Sequence, residues 1–369
     1  MDLEKVTRRL AETAAEYDRT GDFPAAGVEA VHEAGLLTST VARRYGGREL
    51  GLAGQVEVLA ALGEGDPSVA LICAMTLITH ARQARQAQWP EELYSRVLAE
   101  SAQRPTLINT VRVEPELGSP ARGGLPATTA RRTAAGWSVS GHKRFATGAE
   151  GLSWFLVWAA TDEPEPRVGT FAVPASAPGI RIERTWDQLG LRASGSHDVV
   201  FTDVEIPADF LIQAASQSGP PDNLAVAATA LPLAALYLGV GRAAQRAFHR
   251  FAHDRVPANL GRPLATTEKF AQAAGEIETL LSGAEELLTS VAGRLDAGEE
   301  LPPTRALSAR VLADRHVHAA VSLAMRLLGN PGLSRHSPLE RHFRDIQSAA
   351  VHAPQEDTAL TAIGRSVLG

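Results

Sequence analysis

Cysteine and lysine are both scarce in this sequence of 369 residues. The single cysteine, Cys73, excludes an internal disulfide and any zinc site built from cysteine thiolates. Lys5, Lys143 and Lys269 are the only lysines, so arginine supplies nearly all of the positive charge. Acidic residues outnumber basic ones by 42 to 36, which gives a formal net charge of −6. We therefore expect no binding of nucleic acid, which requires a basic surface.

Long apolar runs are also absent. The sequence contains no eighteen consecutive apolar residues without a polar interruption, as a membrane-spanning helix would require. The first residues, Met1 to Lys5, do not have the basic and apolar segments of a secretory signal. We therefore expect no membrane association and a cytoplasmic location. A chain of this length with 44% hydrophobic residues is expected to form two or three domains.

Strand signals are concentrated in the middle of the chain, between Gly136 and Pro207. The segments 154–160 and 168–173 are short and apolar, and Gly, Pro and Asp residues separate them from their neighbours. Val, Phe, Trp and Thr are frequent in these segments. This composition is typical of β-strands and predicts a β-domain between two helical regions.

The flanking regions carry apolar residues at helical spacing. One stripe on the C-terminal side comprises Phe270, Ala273, Ile277, Leu280, Ala284, Leu287, Val291 and Leu295. It predicts a long helix that packs in a bundle through one face. We therefore predict a helical N-terminal domain over residues 1–105, a β-domain over 106–213 and a C-terminal helical bundle over 220–369. A linker rich in Ser, Gln, Gly and Pro, residues 214–222, precedes the bundle.

Five short motifs follow one another within the strand-rich segment. They are W-x-x-x-G-x-K-x-F-x-T at Trp137–Thr147, T-F-x-V-P at Thr170–Pro174, P-G-I at Pro178–Ile180, W-x-x-L-G-x-R-x-S-x-S at Trp186–Ser196 and V-x-F-x-x-V-x-I-P at Val199–Pro207. In order and spacing they resemble the middle domain of the acyl-CoA dehydrogenase family. The resemblance implies an α+β fold with a helical N-terminal domain, a central β-barrel or sandwich and a C-terminal four-helix bundle. It also implies a flavin cofactor and a homotetramer or homodimer, because family members build the flavin site across subunits.

The resemblance assigns cofactor contacts to five residues. Phe145 stands at the position of a tryptophan beside the isoalloxazine ring, and Thr147 at that of a threonine near the N5 atom. Arg255 resembles an arginine that reaches the flavin phosphate of a neighbouring subunit, and Gly329 lies in the loop that holds the adenosine half of FAD. Ser196 is a further cofactor contact. As an alternative, Phe145 and Thr147 could belong to an ordinary β-strand, and Arg255 could be an ordinary surface arginine.

The sequence departs from the family pattern in the adenosine loop. Arg326 replaces a glutamine there and Asn330 replaces a glycine, so FAD and FMN both remain open as the cofactor. Asn109 and Ser194 are candidate substrate contacts in the same cavity. His249 and His253 have a spacing that would suit a metal, but no third ligand accompanies them, and no metal site is predicted.

The catalytic base is the second departure. In the family a glutamate usually lies eight residues after the aspartate of an R-D pair, and counting from Asp345 leads to Ala353. Some members carry the base on the first C-terminal helix instead, but residues 229–231 contain no acid. His352 lies one residue before Ala353, in an arrangement that resembles the C-terminal domain of flavin-dependent monooxygenases with the same fold.

A histidine is suited to acid and base chemistry near neutral pH, because the unperturbed imidazole has a pKa of about 6.5. We expect His352 to end the last long helix before Pro354, where the helix dipole would favour its protonated form. A histidine at such a place can also be a simple helix cap. His80 is a second catalytic candidate, because related monooxygenases carry a histidine in this helix.

These residues predict a flavin-dependent oxidoreductase. The favoured interpretation is a two-component monooxygenase that receives reduced flavin from a separate reductase and oxygenates a small organic or biosynthetic intermediate, with His352 as the acid and base. One alternative is an FAD-dependent acyl-CoA or acyl-carrier-protein dehydrogenase that recruits Glu356 or Asp357 as its base. The second alternative is a non-catalytic member that keeps the fold for association.

Overall fold

A computed structural model describes residues 2–117, 124–215 and 223–369, without the side chains of residues 213–215. The helices are α1 (Leu3–Thr20), α2 (Ala25–Glu33), α3 (Leu52–Gly65), α4 (Pro67–Arg85), α5 (Glu91–Ser101), α6 (Asn223–Asp254), α7 (Glu268–Asp296), α8 (Pro303–Leu328), α9 (Asn330–Leu333), α10 (Pro338–Ile346) and α11 (Glu356–Leu368). The strands are β1 (Leu107–Val111), β2 (Thr129–Arg132), β3 (Gly136–Ala146), β4 (Leu152–Thr161), β5 (Val168–Pro174), β6 (Ile180–Glu183), β7 (His197–Pro207) and β8 (Leu211–Ala215). Most of the predicted linker, residues 216–222, lies outside the described part.

All eight strands belong to one sheet with the order β6-β7-β3-β2-β4-β5-β8, and β1 pairs with β4 in parallel. Two ring contacts show that the sheet curls back on itself. Phe155 of β4 meets Phe201 of β7 with ring centroids 5.6 Å apart, and Trp137 of β3 meets Phe171 of β5 at 5.2 Å. These strands are not neighbours in the sheet, so its two halves face each other around a shared apolar core, as in a barrel or sandwich.

Helices precede and follow the strands along the chain. The five N-terminal helices precede it, and α6, α7 and α8 pack on one another after it, with α10 against α6 and α8. The architecture is therefore the predicted α+β arrangement of a helical domain, a central sheet domain and C-terminal helices. Helix α6 is long and apolar enough to cross a membrane by length and composition, but 78% of its most apolar window is buried inside the protein. It is placed like the core helix of a soluble protein.

Several helix ends follow the local sequence. Asp66 caps α4 by accepting a hydrogen bond from the backbone N–H of Ser68 at 2.8 Å. Ser337 caps α10, and Pro338 occupies its first turn, where a missing N–H costs nothing. The predicted course of this segment to His352 is wrong, because α10 ends at Ile346 and a 3-10 turn, Gln347–Ala350, follows. His352 therefore lies in an irregular segment and not at the end of an α-helix.

The three parts of the chain meet at one junction. Arg344 of α10 binds the carboxylate of Asp18 on α1 through two bonds of 2.9 and 2.6 Å and donates to the backbone oxygen of Leu189 at 3.0 Å. The neighbouring Asp345 accepts a 2.7 Å hydrogen bond from the N–H of Leu191. Gly190 is needed between them, because a Cβ atom there would lie 2.4 Å from the backbone oxygen of Arg344. The R-D pair thus fixes α10 to the loop before β7.

Candidate active site

Four of the predicted site residues lie together at the end of β3. The hydroxyl of Thr147 is 3.0 Å from that of Ser196, which in turn is 3.0 Å from that of Ser194. Asn109 on β1 donates from its side-chain amide to the backbone oxygen of Thr147 at 3.1 Å. All four residues are buried. We call Thr147, Ser194 and Ser196 the hydroxyl chain.

Left-handed backbone residues hold the hydroxyl chain in place. Gly148 and Gly195 have φ values of 73° and 51°. The N–H of Gly148 donates to the oxygen of Ser194 at 2.8 Å, and the N–H of Ala149 donates to the oxygen of Gly195 at 3.2 Å. The turn after β3 and the turn before β7 are thereby joined through backbone bonds, which makes the geometry of the hydroxyls rigid.

An exposed apolar surface adjoins this end of β3. The register of β3 against β7 shifts between Lys143 and Ala146, and Phe145 within this bulge has a φ of +56°. The residue is 45% exposed, and its ring meets the ring of Trp186 edge to face, with the centroids 6.2 Å apart. The guanidinium of Arg144 lies 4.9 Å from the centroid of the same ring. Phe145 and Trp186 thus present aromatic surface beside the hydroxyl chain.

The residues at this place fit a flavin. A flavin requires an apolar wall for its ring and hydrogen-bond partners for the ring edge. Phe145 and Trp186 offer the wall, and the hydroxyl chain offers groups that both donate and accept. Holding the ring would therefore fall to Phe145, Thr147 and Ser196 of this chain.

Two predicted cofactor residues lie apart from this group. Arg255 follows the end of α6 with an exposed side chain, for which the described residues provide no ion pair. Gly329 follows α8 with a φ of 62° and donates its N–H to the oxygen of Met325 at 3.1 Å. Neither contacts the hydroxyl chain within the described part of the protein. Their roles as flavin contacts stay predictions.

The ring of His352 is held by a tyrosine and its backbone by an arginine. The Nδ1 atom is hydrogen-bonded to the hydroxyl of Tyr237, which lies fully buried in α6. Arg310 of α8 donates to the backbone oxygen of His352 at 3.1 Å and to that of Ala353 at 3.4 Å. Arg310 is itself buried, and its Nε atom lies 3.3 Å from the carboxylate of Asp314.

Burial and the nearby charge of Arg310 lower the pKa of His352 to about 4. The imidazole is therefore neutral at physiological pH. This contradicts the predicted effect of a helix dipole, which would have favoured the protonated ring. The reason is structural, because α10 ends six residues earlier and a buried cation takes the place of a helix end.

The carboxylates nearest in sequence have other partners. Glu356 pairs with Arg315 of α8 through bonds of 2.6 and 3.1 Å, and Asp357 accepts from the N–H of Thr358 at 2.7 Å in the first turn of α11. Burial raises the pKa of Asp314 to about 6, although pairing with Arg310 opposes the change. Within the described residues, the His352 ring has no hydrogen bond to a carboxylate.

The second catalytic candidate, His80, is enclosed in the N-terminal helices. Its Nδ1 atom is 2.9 Å from the hydroxyl of Tyr94, and the two rings meet edge to face at 5.8 Å. The residue has no exposed surface, and its Nε2 atom has no partner among the described residues. Burial lowers its pKa to about 4. No hydrogen bond or ring contact joins it to His352 or to the hydroxyl chain in the described structure, so a catalytic role for His80 stays a prediction.

Sequence reasoning missed Tyr237 and Arg310. Arg310 did leave a signal, because it is a charged residue at an apolar position of an amphipathic helix. Tyr237 left little, since it lies within a long apolar run of α6. A third missed contact is the pair of Lys143 and Glu114, both buried, whose Nζ and Oε1 atoms are 2.6 Å apart. This pair explains the lysine of the first motif as structural.

Comparison with known families places three matches along the chain. The acyl-CoA dehydrogenase N-terminal domain matches residues 4–96, the middle domain residues 111–204 and the C-terminal domain residues 231–356. A relative with 31% identity over 366 residues is YdbM of Bacillus subtilis (strain 168), which carries the provisional name of an acyl-CoA dehydrogenase. The match covers 97% of this chain and 94% of YdbM.

Two solved structures are similar to this chain over its whole length. KijD3 in complex with FMN and dTDP-3-amino-2,3,6-trideoxy-4-keto-3-methyl-D-glucose is 26% identical, with a TM-score of 0.85 over 100% of this chain and 92% of that one. Butyryl-CoA dehydrogenase from Megasphaera elsdenii is 21% identical, with a TM-score of 0.88 over 100% of this chain and 97% of that one. The similarity to butyryl-CoA dehydrogenase, at this lower identity, shows a shared fold only.

Proposed function

The chain belongs to the acyl-CoA dehydrogenase family of flavin oxidoreductases, and we propose that it is a two-component flavin-dependent monooxygenase. In this proposal a separate reductase supplies reduced flavin, and the substrate is a small organic or biosynthetic intermediate. One oxygen atom of O2 enters the substrate and the other leaves as water, while the reduced flavin is oxidised. The protein would act in the cytoplasm.

The observation that carries the proposal is the environment of His352. Counting from the R-D pair places the family's glutamate at Ala353, and the structure offers an imidazole beside this position. A dehydrogenase must remove a proton from carbon with a base such as a carboxylate. The nearest candidates for that work, Glu356 and Asp357, are engaged at the start of α11.

The residues of this chain would divide the work as follows. Phe145 and Trp186 bind one part of the flavin ring, and the hydroxyls of Thr147 and Ser196 orient its edge. When bound in reduced form, the flavin supplies the two electrons that activate O2. Because Tyr237 engages Nδ1 of His352, Nε2 is the ring atom left to exchange a proton with the substrate or with oxygen.

The tautomer of His352 decides what its Nε2 atom can do. If Nδ1 donates to the oxygen of Tyr237, Nε2 is unprotonated and can accept a proton, and if the tyrosine donates to Nδ1, Nε2 carries a hydrogen and can donate a hydrogen bond. Burial raises the pKa of Tyr237 well above its ordinary value, so the phenol stays protonated and remains able to donate. Tyr237 is thus a positioning residue for His352.

The test uses the full-length protein mixed anaerobically with reduced FMN or FAD and then with oxygen. We expect tight binding of the reduced flavin and an oxygen reaction with more than one resolved absorbance phase. His352→Ala should merge these phases while leaving flavin affinity within about threefold, because the ring contacts are unchanged. Tyr237→Phe should change the phases less and keep the same flavin affinity. Unchanged phases in His352→Ala would remove its assigned role.

Similarity to YdbM favours the second candidate, an FAD-dependent acyl-CoA or acyl-carrier-protein dehydrogenase. Such an enzyme would hold oxidised FAD through purification and pass electrons from acyl thioesters to an artificial acceptor. Glu356→Gln would then abolish turnover. This outcome, with a single oxygen phase for bound reduced flavin, would replace the monooxygenase proposal. If the protein binds neither FMN nor FAD, it would be a non-catalytic member of the family.

We also propose that the protein is a homotetramer or homodimer. Arg255 supports this, since its exposed guanidinium could complete the flavin site of a second copy. Light scattering should give the mass of two or four chains, and Arg255→Gln should weaken flavin binding without changing that mass.

A further inference from the structure

A cleft on the far side of α6 lies outside the site described above. Helix α1, the end of α3, the second half of α6 and the start of α10 enclose a volume of about 620 Å³. Small-molecule sites in proteins typically measure about 300 to 1,000 Å³. Ala243, the first residue of α6 that lines the cleft, lies six residues after Tyr237, so the cleft begins roughly 9 Å further along this helix. We call this space the α1–α6 cleft.

The α1–α6 cleft carries more positive than negative charge. Four arginines line it, Arg8, Arg246, Arg250 and Arg341, against two glutamates. Both glutamates are already paired, Glu4 with Arg8 and Glu64 with Arg246. Arg250 and Arg341 have no ion pair within the described part of the chain, and the Nε atom of Arg341 is buried without a hydrogen bond.

The positive charge of the cleft helps to lower the pKa values of two basic residues that line it. The charge of Arg250 adds to burial in lowering the pKa of Arg246. Burial, together with Arg341 and Arg246, lowers the pKa of His342 to about 3, so this cleft residue is neutral. Guanidinium groups that line one cleft repel one another, and an anion bound between them relieves this repulsion. The potential inside the cleft therefore favours an anion.

The remaining wall of the α1–α6 cleft is mostly apolar and made largely of small residues. Apart from Thr7 and Gly65, it consists of Leu3, Ala11, Ala61, Ala243, Ala247 and Pro338. The alanines leave space that larger side chains would fill, and they cannot hydrogen-bond a polar ligand through their side chains. An occupant would bury an apolar body against this wall and direct its charge toward the arginines.

We infer that the α1–α6 cleft is a binding site for a small organic anion, a carboxylate, sulfonate or phosphate on a short apolar body. Arg341 and Arg250 bind the anionic group, and the alanine wall binds the body. The site is separate from the flavin and from His352, so its existence does not depend on the proposed reaction.

Calorimetric titration of the full-length protein with 1-octanesulfonate tests this inference, with 1-octanol as the neutral probe of the same chain. We expect saturable binding of the sulfonate that weakens as NaCl is raised from about 0.05 to about 0.5 M, because salt screens exposed charges. Arg341→Gln should weaken it about tenfold, in line with the loss of a charged hydrogen bond, and Arg250→Gln somewhat less. Octanol binding should not change in either variant.

Two controls make the result specific. Ala11→Phe, at an exposed position of α1, should block both probes by filling the cleft. Arg305→Gln, an exposed arginine of α8 outside the cleft, should leave both unchanged. Melting curves of every variant should match the parent, so that loss of binding is not loss of fold. The inference is overturned if FMN competes with the sulfonate, or if the sulfonate binds all these variants equally well.

Discussion

At the residue scale, the charge of His352 follows from its surroundings more than from its own chemistry. An exposed histidine titrates near pH 6.5. Here burial and the guanidinium of Arg310 both disfavour the imidazolium form, and the tyrosine hydroxyl engages the ring without adding a negative charge. The result is a base that stays neutral, and so able to accept a proton, across the physiological range.

This state can be measured without a substrate. In a histidine NMR titration of ¹³C-labelled protein, the Cε1 signal that disappears in His352→Gln should not titrate between pH 8 and about pH 5, because its pKa is about 4. Arg310→Gln should move its midpoint up toward 6.5, since a positive neighbour is removed. Tyr237→Phe should leave the midpoint nearly unchanged. A midpoint near 6.5 in the parent would show that the ring is solvated.

Lys143 and Glu114 are a second case in which surroundings decide the role of a residue. Glu114 accepts from Lys143 at 2.6 Å, from the N–H of Ala127 at 2.7 Å and from Thr128 at 2.6 and 3.0 Å. Burial would raise the pKa of Glu114, but these donors together hold it below its ordinary value. The carboxylate joins β3 to the segment before β2 across the inside of the sheet.

Removing the lysine should therefore be costly. In Lys143→Met the carboxylate keeps its other donors but loses its counter-charge, and we expect the free energy of unfolding to fall by about 3 to 5 kcal/mol. Urea denaturation followed by circular dichroism measures this. The matched control is Arg167→Gln, which removes an exposed ion pair with Glu163 and should leave the midpoint unchanged. A loss no larger than that of the control would mean that the pair is not buried in solution.

At the scale of elements, periodicity predicts where the helices lie better than which residues face inward or where they end. The predicted stripe of α7 is right at Phe270, Ala273 and Ile277, but the buried leucines further along are Leu281 and Leu288 instead of Leu280 and Leu287. A single face spans adjacent positions, so an apolar pair cannot reveal which member points inward. The packing of α6 and α8 against α7 decides between them.

The end of α10 shows a different limit. Proline at position 354 is a stop signal, and it predicts a helix that continues to His352. The helix ends at Ile346 and a 3-10 turn follows, while Asp345 and Arg344 fasten its last turn to the loop before β7 and to α1. These contacts join residues 154 and 326 positions apart. Local sequence carries no record of contacts at that distance.

The same distinction applies to the candidate site. The family motifs predict Thr147, Ser194 and Ser196, and these do meet, because they lie in the turns at the adjoining ends of β3 and β7, which pair with each other. Asn109, which lies outside the motifs, joins them from β1. The motifs do not predict the contact of Tyr237 with His352, which are 115 positions apart on segments that depart from the family pattern. The motifs describe residues shared with the family, so they give no information on the partner of His352, which is not one of them.

At the scale of the whole molecule, stability depends on the junction between α1, α10 and the loop before β7. Burial raises the pKa of Asp345 from 3.8 to about 7, against the opposing effects of the Leu191 N–H and of Arg341. The folded protein thus keeps a proton on this carboxyl between about pH 4 and pH 7, where the unfolded chain has released it. The stability contributed by this proton is complete below pH 4 and is lost as the pH rises through 7.

Asp345→Asn tests this linkage because an amide can accept from Leu191 but cannot ionise. We expect the variant to gain stability relative to the parent between pH 5 and pH 8, by up to about 1.4 kcal/mol for each unit of the pKa difference that this window covers. Urea unfolding of both proteins at the two pH values gives the difference directly. Contributions from other buried carboxylates, such as Asp66 and Asp314, are common to both proteins and cancel.

The neighbouring substitution Gln347→Ala is the control for this experiment. It removes a hydrogen bond from the Gln347 amide to the oxygen of Phe343 in the same turn, but no charge. Its effect on stability should therefore be equal at both pH values. If Asp345→Asn behaves like this control, Asp345 is ionised in the folded protein, and Arg341 or Arg344 must then pair with it and hold the junction closed by charge. If Asp345→Asn instead gains stability over the parent only at the higher pH, the neutral carboxyl of Asp345 joins the three parts of the chain. A rise in pH above about 7 then loosens α10 and the segment after it, which carries His352.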